Sequence, residues 1–221
     1  LFLILVFSYL NRRESKFILR EIPAYRKLIK ELGLAVEGGR KLHLSLGHGG
    51  VLDTRAAAGF VGLSFLKRFA RTASVSDYPP VVSSGDAMLS ILAEDTLETT
   101  FKGIGIDDLY DASQNQLTGL TPFSYAAGAM PIIADELVSV DVLAGHFGSE
   151  VALLTDAVNQ NQGVALGGSD NLSAQAVLYA MLPEPVVGEE YFASGAYIQA
   201  NHWHRTSLRA QDFLRWIVIV V

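Results

Sequence analysis

The sequence of 221 residues contains no cysteine. That excludes a disulfide framework, a thiolate nucleophile, a zinc ribbon and an iron–sulfur cluster. It is compatible with either redox compartment. Proline is scarce, 7 residues against 20 glycines, and only 18% of the chain is charged. With half of the residues hydrophobic, neither a disordered chain nor a low-complexity fibre fits. Positive charge is nearly missing from the middle: residues 72–201 hold one base, Lys102, against 17 acids.

The bases lie elsewhere. Residues 11–71 carry 13 Lys and Arg against 5 acids, and residues 202–215 carry 3 against 1. A solvated surface normally mixes both signs. Sorting of this degree suits a basic block facing anionic lipid, or the basic face of one subunit meeting the acidic face of another. An acidic block repels phosphates, so no nucleic-acid partner is expected.

No complete apolar span of about 20 residues is present, but both ends are apolar. Residues 1–10 read LFLILVFSYL and residues 216–221 read WIVIVV. Ten residues at about 1.5 Å each cover roughly half of the hydrocarbon thickness. The first residue is Leu and the charges Arg12, Arg13, Lys16 and Arg20 follow the apolar run rather than precede it, unlike a signal peptide. These ends are expected to be the inner parts of two transmembrane helices, with the polypeptide continuing beyond them. Residues 1–12 would be the inner half of the first helix, 13–205 a cytoplasmic α/β domain, and 206–221 the start of the second. The basic flanks place that domain in the cytoplasm, with the lipid bilayer as a partner.

Helical spacing over 22–34 is followed by strict alternation over 41–46, Lys-Leu-His-Leu-Ser-Leu, which predicts a strand. Similar reading predicts strands at 79–83, 109–113, 138–145, 163–166 and 184–188. Helices are predicted from Asp53 to about 73, over 86–101, from Pro122, and over 149–160, 169–182 and 189–200. Alternating short apolar strands and helices imply a Rossmann-like, doubly wound, mostly parallel sheet with helices on both faces. The fold class is therefore α/β, flanked by two partial transmembrane helices.

In such a sheet, ligands bind at the carboxyl ends of the strands. The candidate ligand-binding residues are Gly47, His48, Gly49 and Gly50, then His146, then Gly167, Gly168, Ser169 and Asp170. Glycine permits close backbone approach, and helix N-termini favour anions, so a small anionic ligand or nucleotide is the expected occupant. The same glycines also suit tight turns, with Asp53, Ser149 and Ser169 as helix caps. His48 and His146, with Glu150 and Asp170, form an acid–base cluster if their loops are neighbours. No metal site is expected, and no cofactor is identified. The phosphate-loop pattern, the Gly-x-Gly-x-x-Gly pattern and the Gly-x-Ser-x-Gly elbow are all missing, so no catalytic residue is assigned.

Residues 38–50, GGRKLHLSLGHGG, resemble an uncharacterised bacterial membrane-associated domain family of unknown function. So do 125–128, YAAG, 167–170, GGSD, and 188–197, GEEYFASGAY. The resemblance implies flanking transmembrane helices and supplies no activity. Taken together, these features point to a membrane-anchored, non-catalytic scaffold that assembles as a homo-oligomer. The alternative is a sensor or enzyme that binds a small anion or nucleotide at its glycine loops.

Overall fold

The computed structural model describes residues 19–52, 55–76, 78–106, 108, 110–135, 137–198 and 202–220. The expected first membrane segment, residues 1–12, lies outside them, as does Asp53. Helix α1 (Pro23–Glu37) starts with proline at its first turn, buries Ala24, Tyr25, Leu28, Leu32 and Ala35 on one stripe, and ends at Gly38. Five strands follow: β1 (Lys41–Gly47), β2 (Val81–Ser84), β3 (Asn115–Leu117), β4 (Val138–His146) and β5 (Val164–Ser169). All pairings are parallel, in the order β3-β2-β1-β4-β5.

Between them run α2 (Ala56–Ala73), α3 (Ala87–Ile104), α4 (Pro122–Ile133), α5 (Val151–Gln160) and α6 (Leu172–Met181). Leu42, Leu44 and Leu46 of β1 meet α1, α2 and α3 in one core, which also takes in Val82, Val142, Phe65 and Phe69. On the opposite face Leu143 joins Tyr125, Phe147, Val151, Leu154 and Leu178 under α4, α5 and α6. The chain therefore changes sheet face between β3 and β4. The helices after β1 and β4 leave in opposite directions, and the gap this opens is the usual ligand position in open α/β sheets.

Several boundaries differ from expectation. β3 lies at 115–117 rather than 109–113, because Asp111 accepts a bond from Ser113 N–H and caps a short 3-10 turn first. Gly167, Gly168 and Ser169 are strand rather than turn, since they pair with Leu143, Ala144 and Gly145. Asn171, not Ser169, caps α6. The expected strand at 184–188 reduces to one bridge between Val186 and Gly168. The expected helix at 189–200 is two short ones, α7 (Glu189–Phe192) and α8 (Ser194–Ile198). A final helix, α9 (His202–Val220), packs against α8.

No helix among the described residues is long and apolar enough to cross a membrane. In α9 the apolar Trp216, Ile217, Val218 and Ile219 are exposed and follow Arg209, Asp212 and Arg215. The two ends of the domain meet. Arg20 pairs with Glu190, and Arg215 with Glu189. The Tyr197 hydroxyl donates to the Arg20 carbonyl at 2.8 Å, and Tyr25 and Tyr197 stack at 5.2 Å. The adjacent carboxylates of α7 thus hold one chain end each.

The sheet face under α4 carries a buried polar chain. His43 Nδ1 lies 2.7 Å from Asp141 Oδ1, and its Nε2 lies 3.0 Å from Ser83 Oγ. Ser83 Oγ is 3.2 Å from the Tyr125 hydroxyl, which also bonds Ser45 Oγ. His43, Asp141, Ser83 and Ser45 are wholly buried. Burial pushes the Asp141 carboxyl above its ordinary range, opposed by the hydrogen bond and charge of His43. Removing one partner of such a pair is costly, because the other stays buried and unpaired. His43→Ala should lower unfolding free energy by about 3–5 kcal/mol. The double variant with Asp141→Ala should lose less than the two single losses combined. Urea denaturation of the four proteins measures both; strictly additive losses would dissolve the coupling.

Candidate functional site

The carboxyl ends of β1 and β4 are drawn together by backbone geometry. Gly47 has φ of +71°, which side-chain-bearing residues rarely adopt. A Cβ on Gly145 would overlap the Leu46 carbonyl oxygen. The His48 N–H donates to the His146 carbonyl at 3.0 Å, and the Gly47 carbonyl accepts from Gly85 N–H at 2.8 Å. Three strand ends are therefore laced together by main chain, including that of β2, which sequence reading left out.

This lacing sets His48 beside His146. Their ring centroids are 5.3 Å apart and the planes meet at 85°. Each ring is held from behind by a carboxylate. His48 Nε2 lies 2.9 Å from Glu150 Oε1, and His146 Nδ1 lies 2.7 Å from Asp170 Oδ1. Glu150 is almost fully buried at the N-terminus of α5, where Oε1 also accepts the Gly148 N–H at 2.6 Å. The helix starts at Val151 with Glu150, not the expected Ser149, at its cap position and no side-chain cap bond there. A carboxylate bound to one imidazole nitrogen fixes the orientation of the ring. His48 Nδ1 and His146 Nε2 are the nitrogens left over.

The glycine-rich segments also bond and pack within the chain. Ser169 Oγ accepts from Phe147 N–H at 3.2 Å and from Asn171 N–H at 3.3 Å. Asn171 Oδ1 takes the Ser173 N–H at 3.1 Å. The first amides of α5 bond to the carbonyls of Gly148, Ser149 and Glu150. At β5, Gly167 makes room for Leu178, and Gly168 for the Tyr191 ring. Of the nine expected ligand-binding residues, His48, His146 and Asp170 meet in one cluster. Gly47 and Gly49 bring its loops together, and Gly50 lies in the turn beyond. Gly167 and Gly168 serve packing, and Ser169 ties the β4 loop to the β5 end.

Below the cluster the Tyr125 hydroxyl accepts from Gly47 N–H at 3.3 Å. The Asp141–His43–Ser83–Tyr125 chain therefore ends at the β1 loop that carries His48. Burial raises the Tyr125 pKa, partly offset by Ser45, Ser83 and Gly47. Asp141 and Tyr125 were not among the expected site residues. The signal for Asp141 was an acid inside the apolar run Val138-Ser-Val-Asp-Val-Leu143. Among the described residues no group of three or more His, Asp or Glu is arranged to hold a metal ion.

The chain belongs to the family described as a domain of unknown function, DUF6754, which matches residues 1–221. No curated protein and no solved structure matches it. The class is an α/β domain with a five-stranded all-parallel sheet and a histidine–carboxylate cluster at the face-change point.

Gly145→Ala should separate the β1 and β4 ends and destabilise the fold by about 1–3 kcal/mol. Thermal melting tests the stability loss, and the His48 and His146 ring resonances report the separation. An unchanged melting temperature would show that the close approach is not required.

Proposed function

We propose that the chain is a membrane-anchored binding domain for a small anion, with the site at the β1 and β4 carboxyl ends. The observation that supports this reading is the pair of carboxylate-backed imidazoles, His48 with Glu150 and His146 with Asp170, set edge to face. Each ring turns its second nitrogen away from its carboxylate, and a proton there makes it a donor. A phosphate or carboxylate group is then recognised by these two ring nitrogens, since the amides of His48, Phe147, Gly148 and Asn171 are already bonded. Charge-assisted bonds of this type are shorter and stronger than neutral ones.

Membrane anchoring draws on the apolar sequence ends and on their structural neighbours. Residues 19–20 and α9 come together at Glu189 and Glu190, so two transmembrane helices would leave the domain side by side. Helix α1 runs toward the amino end of β1, so its start and the chain ends lie at the carboxyl end of the sheet. The domain is assigned to the cytoplasmic side on its basic flanks. The histidine site would then be near the bilayer surface.

A second reading, a homo-oligomeric scaffold, draws on the charge distribution. The bases of α1 and α2 and the acids of α3 lie on one helical layer.

The full chain in mild detergent should be melted with inorganic phosphate, nucleoside mono- and triphosphates, and di- and tricarboxylates. At a concentration 100 times its dissociation constant, a ligand stabilises the folded state by about 2.7 kcal/mol. At least one compound should raise the melting temperature. His48→Gln and His146→Gln should each abolish that rise. No shift with any of these compounds would reject the binding reading.

A further inference from the structure

We infer that the exposed face of α2 and α3 is a two-fold interface with a second copy of this chain. The inference rests on the scaffold reading and is independent of the histidine site.

Both helices run antiparallel to the strands, so they are parallel to each other, and they pack side by side. Their levels match, since a Cβ on Gly59 of α2 would sit 3.1 Å from Leu89 Cδ1 of α3. Each helix presents an apolar first half and a charged second half. α2 exposes Phe60 and then Lys67 and Arg71, with Arg68 half-buried. α3 exposes Met88 and Ile91 and then Glu94 and Asp95, with Glu98 half-buried.

Part of this charge is left without a partner among the described residues. Among the described residues Lys67, Arg68 and Arg71 form no side-chain ion pair, and Arg68 Nε is buried without a partner. Among the same residues the Asp95 carboxylate has no partner, whereas Glu94 accepts from Tyr110 and Glu98 from Lys102. A cationic helix therefore lies beside an anionic one, each with spare capacity.

Only one symmetric arrangement matches them. A two-fold axis parallel to the helices, passing between α2 and α3, lays α2 of one copy along α3 of the other in the same direction. Phe60 then meets Met88 and Ile91, while Lys67 and Arg71 meet Asp95 and Glu98. Symmetry makes each contact twice, as an isologous interface requires. A two-fold axis perpendicular to the layer would run the helices antiparallel and set the bases against the apolar halves. Two helices of 18 residues give a contact about 27 Å long, suited to an interface of standard size. Complementary charge would fix its register, and the apolar halves would provide its core.

The test is a charge exchange read by native mass of the full chain in mild detergent. The wild-type protein should be a dimer, or a multiple of two. Lys67→Glu with Arg71→Glu should halve that mass, as should Asp95→Lys with Glu98→Lys, with circular dichroism unchanged. Mixing the two variants in equal amounts should restore it, because both contacts are again complementary in the mixed pair. A monomeric wild type would reject the scaffold reading and this interface with it. An oligomer unaffected by either variant would reject this interface and leave the scaffold reading standing. Variants that dissociate but do not recover on mixing would show that α2 and α3 do not face each other.

Discussion

The rest of the site depends on how closely β1 and β4 approach at their carboxyl ends. The helices that follow them depart to opposite faces of the sheet, which by itself would open a gap. Here the gap is narrowed by the positive φ of Gly47 and by Gly145, whose missing Cβ leaves space for the Leu46 carbonyl. Main-chain bonds then cross from His48 to His146 and from Gly85 to Gly47. Two loops distant in sequence become one rigid platform, and the imidazoles they carry are set by backbone rather than by side-chain freedom.

That platform also rests on a polar layer. The Tyr125 hydroxyl reaches up to Gly47 N–H and down to Ser83, His43 and Asp141. Buried polar groups are costly unless bonded, so a chain of them running to one loop restricts the positions that loop can take. The exception within it is Asp141 Oδ2, which is buried without a partner. The raised Asp141 pKa follows from the same desolvation. The sheet thus joins an apolar face, carrying Leu42, Leu44 and Leu46, to a polar-centred one on the same strand.

Much of the fold was legible. Alternation over 41–46 located β1, and Pro122 after Thr121 located the start of α4, where Thr121 and Ser124 form a capping box. Periodicity could not give strand order, so whether the glycine-rich segments met could not be read from the chain. One error had a local cause. Glycines in 167–168 suggested a turn, but in β5 they make space for Leu178 and Tyr191. Glu189 and Glu190 do open a helix, and the structure adds their pairing with Arg20 and Arg215. Those partners are about 170 and 26 positions away, beyond any local pattern. His43, inside the alternation of β1, is wholly buried against Asp141.

The central claim is that His48 and His146 act together as one ligand-facing pair. The most direct measurement is the nitrogen NMR spectrum of the histidine rings during titration with inorganic phosphate or a nucleotide that binds. The account predicts that His48 Nδ1 and His146 Nε2 shift together along one binding curve while the buried His43 ring stays still. A bound ligand that moves neither ring, or that moves His43 instead, would contradict it.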